Sequence, residues 1–306
     1  MSAPREPSPT RELDELAAAL AEATAAPVLD GLRARVLDAA LAERPSGLPT
    51  EVPSRISGVE TLRRAISSLD QVLAELSPGE WDVVALRGLD VRGLVGHLMG
   101  VERDFAALLA GDAGVADADH VAGTQDEAVA QHGRDPAATL ADWRAAAARS
   151  LALADVADPS TVLRIYGVTL PLDDLLVARA FETWVHEGDV RRATGRDLGA
   201  PDAERLGRMV GLGVVALPFA LAMAEPATPA RSVRLVLTGP AGGTYQMALD
   251  GSSSSGQADT RVVVDTVAFC LALGNRVDLA GSGAIVAGDR SVAEAVFTGA
   301  STLALD

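Results

Sequence analysis

Apolar residues recur at steps of three and four through most of the chain, and four such runs stand out between residues 57 and 194. From about Ser57 to Leu76, Val59, Leu62, Ile66, Leu69, Leu73 and Leu76 make one face, and Ser77-Pro78-Gly79 ends the run. Asp90 is placed to cap a second helix whose buried stripe is Val91, Leu94, Val95, Leu98, Val101 and Phe105, with His97 on its edge. Pro136 to Leu153 forms a third, with Leu140, Trp143, Ala147 and Leu151 on one side. The fourth opens at Leu170-Pro171-Leu172-Asp173 and closes near Gly195, where a proline start and a glycine stop are both in their usual places. Four helices of this length predict a bundle. Between the second and third, residues 111–119 read as loop and 125–133 as mixed, so His120 and His132 are expected in surface or loop positions.

The fourth helix carries the chemistry. At 100° per residue, Leu172, Leu175, Arg179, Glu182, His186 and Asp189 fall on one stripe, while Val177, Ala180, Phe181, Trp184 and Val185 cover the other sides. Glu182 and His186 are i and i+4, so they meet on one face. Two readings fit the spacing equally: a solvated stripe with an ordinary surface pair, or two donors to one divalent cation that needs a third from elsewhere. For His97 the plain expectation is a partly buried, hydrogen-bonded histidine.

The flanks differ in character. Residues 11–44 hold two short helical patterns that end in a Pro/Gly/Ser-rich linker running through Pro53. They read as an appended segment (residues 1–50 with the linker), either an accessory hairpin or an arm for a protein partner. Residues 51–225 read as the helical bundle with the apolar helix Pro201–Ala224. Beyond the second linker, Glu225–Pro229, residues 226–306 alternate strands with helices: Val233–Leu237, Thr244–Leu249, Arg261–Val264 and Ala284–Val286 as strands, Thr266–Leu273 and Ser291–Phe297 as helices. The fold class is therefore α plus α+β.

Composition narrows the partners. Acidic residues outnumber basic ones 42 to 26, a formal charge of −16, which argues against nucleic acid and anionic membranes. The longest apolar run, Met209 to Met223, contains Pro218 and is too short for a membrane span. The single cysteine, Cys270, rules out an intrachain disulfide and sits in an apolar helical run, a core setting rather than a nucleophile's. With no apolar run near the N-terminus, a cytoplasmic protein is expected.

Taken together, Trp81, the Asp90–Leu98 segment ending in His97, and Arg179-x2-Glu182-x3-His186-x2-Asp189 resemble the DinB-like, thiol-dependent metalloenzymes. Their closest likeness is to the mycothiol-dependent maleylpyruvate isomerase branch, over roughly residues 57–306. The resemblance implies a DinB-like four-helix bundle followed by a small sterol-carrier-like α+β domain. It also implies a divalent cation, zinc in most of the branch, on His97, Glu182 and His186, with mycothiol or another low-molecular-weight thiol as co-substrate. In the branch an arginine after the C-terminal domain's helix faces the cleft; Arg276 matches it with Asn275 inserted, either to hold a substrate carboxylate or as a solvated helix-end charge. Arg179, one turn before Glu182, is placed to orient that carboxylate or to pair with Asp189.

Two imidazoles and one carboxylate leave a coordination position open, as catalytic zinc sites do. A thiol activated there would attack a small-molecule electrophile, giving either cis–trans isomerisation or an S-conjugate. The residues do not choose between isomerase and transferase. A hydrolytic variant would need a base, for which Glu102 and Asp189 are candidates. A non-catalytic metal- or thiol-sensing protein, with residues 11–44 as the interaction arm, is the reading from a different class.

Overall fold

The computed structural model describes residues 53–223, 231–249 and 258–304, which fall in one compact unit. The appended segment expected over residues 11–44 lies outside the described residues. Helix α1 (Gly58–Ala74) begins at Ser57, whose hydroxyl accepts from the Glu60 amide, and buries Leu62, Leu69, Val72 and Leu73. After a 3-10 turn (Pro78–Asp82) that buries Trp81, strands β1 (Val84–Leu86) and β2 (Leu89–Asp90) form a small hairpin. Helix α2 (Val91–Leu109) follows, capped as expected by Asp90, which accepts from the Gly93 amide at 2.7 Å.

The stretch read as loop and mixed structure contains a helix, α3 (His120–Ala130), capped by Asp119. Its amphipathic pattern is weak because it does not bury a hydrophobic stripe. It docks instead on two glycines of α2. A Cβ on Gly96 would lie 2.8 Å from the Glu127 carbonyl and 2.9 Å from the Ala128 Cα, and one on Gly100 would lie 3.0 Å from the Thr124 side chain. The bare face of α2 is therefore what lets α3 come in at backbone distance, directly beside His97.

Helix α4 (Pro136–Val156) is capped by Asp135 and crosses α2. A second hairpin, β3 (Val162–Ile165) with β4 (Val168–Pro171), leads into α5 (Leu172–Ala193). Both hairpins turn on two residues of positive φ: Arg87 and Gly88 at 47° and 82°, Tyr166 and Gly167 at 50° and 78°. Positive φ at both central positions is the tight turn whose twist matches the strands. Each hairpin delivers the chain directly into one of the two helices that carry the polar stripe. The second hairpin's tip is tied back to the chain ahead of α3, the Tyr166 and Gly167 amides donating to the Val115 and Ala116 carbonyls.

The bundle core is divided. One cluster joins Leu69, Leu73, Trp81, Leu94, Val95, Leu98, Met99, Trp143 and Val190; the other joins Leu62, Phe105, Ile165, Leu172, Leu175, Leu176 and Ala180. On α2 the break between them falls at Glu102, and on α5 it lies between Ala180 and Val190, where Glu182, His186 and Asp189 stand. A layer of buried polar side chains thus crosses the bundle at mid-height.

Helix α5 also serves a second core. Its Val177, Trp184 and Val185 pack with Leu206, Met209, Leu217 and Leu221 of α6 (Ala203–Met223) and with the C-terminal elements. Those are β5 (Ser232–Thr238), β6 (Gly243–Ala248), β7 (Thr260–Asp265), α7 (Thr266–Leu273), β8 (Ile285–Gly288) and α8 (Arg290–Ser301). The strands make one sheet in the order β6-β5-β7-β8, with β5 and β7 parallel and the outer pairs antiparallel. The α plus α+β class read from the periodicity is what the chain forms. A Cβ on Gly274, just after α7, would lie 2.7 Å from Val185 Cγ2, so the end of α7 sits flush on α5. Cys270 is a fully buried member of this core, its thiol pushed far above the ordinary range by burial. None of the described helices is long and apolar enough to cross a membrane.

The glycine contacts of α2 yield a stability test. Gly96→Ala should gain about 1 kcal/mol of helix propensity but force its methyl into the backbone of α3. Overpacking of this kind costs about 1–3 kcal/mol, so the net expectation is a lower midpoint in urea unfolding; a raised midpoint would show that α3 is not held at backbone distance.

Candidate metal centre

The polar layer is built from α2, α3 and α5. His97, Glu182 and His186 come together, each offering one donor atom, with all three atoms within 4.8 Å of one another. His97 Nε2 lies 3.3 Å and His186 Nε2 4.0 Å from the same oxygen, Glu182 Oε1. The stripe on α5 is not a solvated face: Arg179, His186 and Asp189 are each no more than 5% exposed.

Both imidazoles are oriented from behind. The Thr124 hydroxyl donates to the His120 carbonyl at 3.0 Å, so its oxygen is left to accept from His97 Nδ1 at 2.6 Å. His186 Nδ1 lies 3.0 Å from Asp189 Oδ2, an acceptor only, and so carries the proton. Both Nε2 atoms are thereby left with lone pairs directed at the carboxylate. Burial lowers the His97 pKa, against the opposing pull of Glu182, and keeps the ring neutral at neutral pH.

The carboxylate is held just as firmly. Burial alone would raise the Glu182 pKa, but the Arg179 guanidinium leads the groups that outweigh it and hold the carboxyl well below the usual range. Arg179 donates to Glu182 Oε2 and, through its other nitrogen, to Glu102 Oε1 at 2.8 Å. The first alternative read from the spacing, that Arg179 orients Glu182, is the one the structure realises; Asp189 is bound elsewhere. Glu102 also accepts from the Ser150 hydroxyl. With both its oxygens so occupied, it is a counter-charge to Arg179 rather than a base, and Asp189 is equally committed.

Arg276 reaches this layer from the far side of the chain. Its Nε and Nη2 donate to the two oxygens of Asp189 at 2.8 and 2.7 Å, and its Nη1 to the Gly274 carbonyl at 2.7 Å. The side chain is largely withdrawn from solvent rather than a solvated helix-end charge, and two of its nitrogens are paired with Asp189. Asn275, at φ 54°, makes the turn that brings it there. Arg192 adds a third donor to Asp189 at 3.0 Å. Burial would raise the Asp189 pKa; His186 and Arg276 bring it down to about 2.

His120 is the residue the sequence reading missed. It is not in a surface loop but at the first position of α3, 6% exposed, with its Nε2 3.0 Å from Glu182 Oε1. Its ring is edge-on to His97, with centroids 5.0 Å apart, and to Tyr166, at 4.6 Å. The Tyr166 hydroxyl donates to Asp104 at 2.8 Å, which fixes that ring. The signal that could have found His120 is the Gly96-His97-x2-Gly100 pattern, a bare strip beside a histidine that only a closely packed neighbour can cover. His132, by contrast, is on the surface as expected.

The donor set suits a divalent cation. Buried polar atoms are normally hydrogen-bonded, yet His97 Nε2 and Glu182 Oε1 are buried without a hydrogen-bond partner. Neutral imidazole and carboxylate are the ligands that zinc and its neighbours take.

Residues 62–191 match the family model described as the mycothiol maleylpyruvate isomerase N-terminal domain. Two uncharacterized proteins from strains of Mycobacterium tuberculosis, MT0041 and Rv0036c, are each 28% identical over 225 residues, spanning 71% of this chain and 84% of theirs. Two crystal structures of the mycothiol-dependent maleylpyruvate isomerase, one of them a point mutant, superpose with TM-scores of 0.54 and 0.53. Each is 14% identical to this chain and covers 74% of it and 91% of its own length.

The Asp189 pairing predicts an acid-side effect. A carboxylate with a depressed folded pKa contributes stability that is complete above its unfolded value, near 3.9, and is lost as pH falls toward about 2. Arg276→Gln removes a cause of the depression, so the variant should be less stable near neutral pH, lose less stability between pH 5 and pH 2, and have an acid limb that levels off at a higher pH than wild type's, measurable by urea unfolding; coincident acid limbs would contradict the pairing.

Residues 62–191 thus carry a mycothiol maleylpyruvate isomerase N-terminal domain, and the fold around it is that of the mycothiol-dependent maleylpyruvate isomerase.

Proposed function

We propose that the chain is a divalent-metal, most simply zinc, enzyme that uses a low-molecular-weight thiol, mycothiol, in S-transfer or in thiol-assisted cis–trans isomerisation of a small electrophile. The observation that supports this best is the convergence of His97 Nε2, His186 Nε2 and Glu182 Oε1, with both Nδ1 atoms already engaged from behind. A divalent cation on such donors supplies a Lewis acid that lowers the pKa of a thiol sulfur near neutrality.

The chain's own residues do the rest. Thr124 and Asp189 fix the two imidazole tautomers, and hydrogen-bonded partners of this kind set ligand basicity and ring orientation. Arg179 keeps Glu182 ionised and in one rotamer, so the site need not reorganise when positive charge arrives. The hydrophobic clusters above and below exclude water and strengthen every interaction between them. The activity of the structural neighbours, and the family whose model matches residues 62–191, favour the isomerase form. The conjugating form needs the same metal, the same thiol and the same residues, with the adduct released rather than reversed.

His186→Ala, which leaves the bundle's hydrophobic clusters intact, should lose stoichiometric metal and thiol-dependent turnover together. Metal content and conversion of maleylpyruvate, or of a generic electrophile, in the presence of mycothiol would be measured on wild type and variant. Trans product would identify an isomerase and a conjugate a transferase. Metal and turnover both surviving in the variant would end the proposal; wild-type metal binding without turnover on any electrophile would replace it with the sensing role.

A further inference from the structure

His120 has a donor atom it does not use. Its Nδ1 is buried with no hydrogen-bond partner. Its Nε2 stands 3.0 Å from Glu182 Oε1, yet that oxygen, also buried, accepts no hydrogen bond. Two lone-pair-bearing atoms this close repel unless a proton or a cation lies between them. A proton would have to point along the contact, which is the hydrogen bond Oε1 lacks. Donors about 2.0–2.1 Å from one tetrahedral ion lie roughly 3.3 Å apart. His97 Nε2 meets that spacing against Oε1 at 3.3 Å, and His120 Nε2 comes close at 3.0 Å.

Building on the reading of this centre as a divalent-metal site, we propose that His120 is a fourth protein donor, and the one that an incoming thiol displaces. It stands outside the set of atoms that are all mutually within 4.8 Å, so its ring must turn to join. His97 is held at Nδ1 by Thr124, His186 by Asp189, and Glu182 by Arg179. His120 has no such anchor at Nδ1, and the rings of His97 and Tyr166 meet it edge-on. Four protein donors saturate a zinc-sized ion. A sulfur ligand would then enter by replacing the least constrained of them, and His120 would shield the cation from water and adventitious ligands when no thiol is present.

X-ray absorption on the full chain loaded with one equivalent of zinc counts the imidazoles directly. Three are expected in wild type and two in His120→Gln, which keeps an amide able to donate to Glu182 but removes the imidazole. Adding mycothiol, or N-acetylcysteine as a simpler probe, should bring a sulfur into the wild-type spectrum and lower its imidazole count to two. Zinc affinity in His120→Gln should fall about 10-fold or more. Two imidazoles in thiol-free wild type, or three retained beside a bound sulfur, would overturn the proposal. An unchanged count in His120→Gln together with metal loss in His186→Ala would sink the role of His120 alone. If wild type bound no zinc, the metal-centre reading would fall and take this proposal with it.

Discussion

Everything in the bundle is arranged around one buried cation, the Arg179 guanidinium, lodged between Glu102 and Glu182. Removing three charges from water is expensive, and only close pairing with hydrogen-bonded partners recovers the loss. That requirement explains why the core is split into two apolar clusters with a polar layer between them, and why Ser150 stands behind Glu102. It also sets the state of Glu182. A carboxylate in such surroundings would take up a proton if it stood alone; beside Arg179 it stays ionised. Ionised and held, with one oxygen on Arg179 and the other facing three imidazoles, it can act as a ligand without further adjustment.

The second constraint links the two cores. Helix α5 is buried along most of its length because one side closes the bundle and the other belongs to the core shared by α6 and the C-terminal sheet. Gly274 allows the end of α7 to touch Val185, and the turn at Asn275 then directs Arg276 onto Asp189. A chain of contacts therefore runs from the C-terminal elements through Asp189 to His186. The C-terminal part thus bears on the centre through Asp189, the residue that fixes the His186 ring from behind.

Much of this was legible in the sequence, and the exceptions have a common cause. Helices α1, α2, α4 and α5, the succession of strands and helices along the chain after residue 230, and the Asp90 cap all follow from local pattern, because each buries a stripe or satisfies a helix end on its own. The meeting of Glu182 and His186 follows from their i, i+4 spacing, and Arg179 lies one turn away on the same face. His97 joined them only through resemblance to a family. Helix α3 and His120 were not legible because their burial depends on missing side chains at Gly96 and Gly100, a feature of the partner helix rather than of their own segment. The same holds for Arg276, whose partner lies 87 residues away, and for Thr124, whose hydroxyl matters only because α3 comes so close. Periodicity reports what an element buries, not what another element will press against it.

The central claim is that His97, Glu182 and His186 meet at one point suited to a single divalent cation. It is tested most directly by a crystal structure of the zinc-loaded protein with data collected at the metal's absorption edge. The account predicts one strong anomalous peak inside the bundle, about 2.0–2.2 Å from Nε2 of His97, Nε2 of His186 and a carboxylate oxygen of Glu182. A peak elsewhere, or an empty centre with the three side chains turned away from one another, would contradict it.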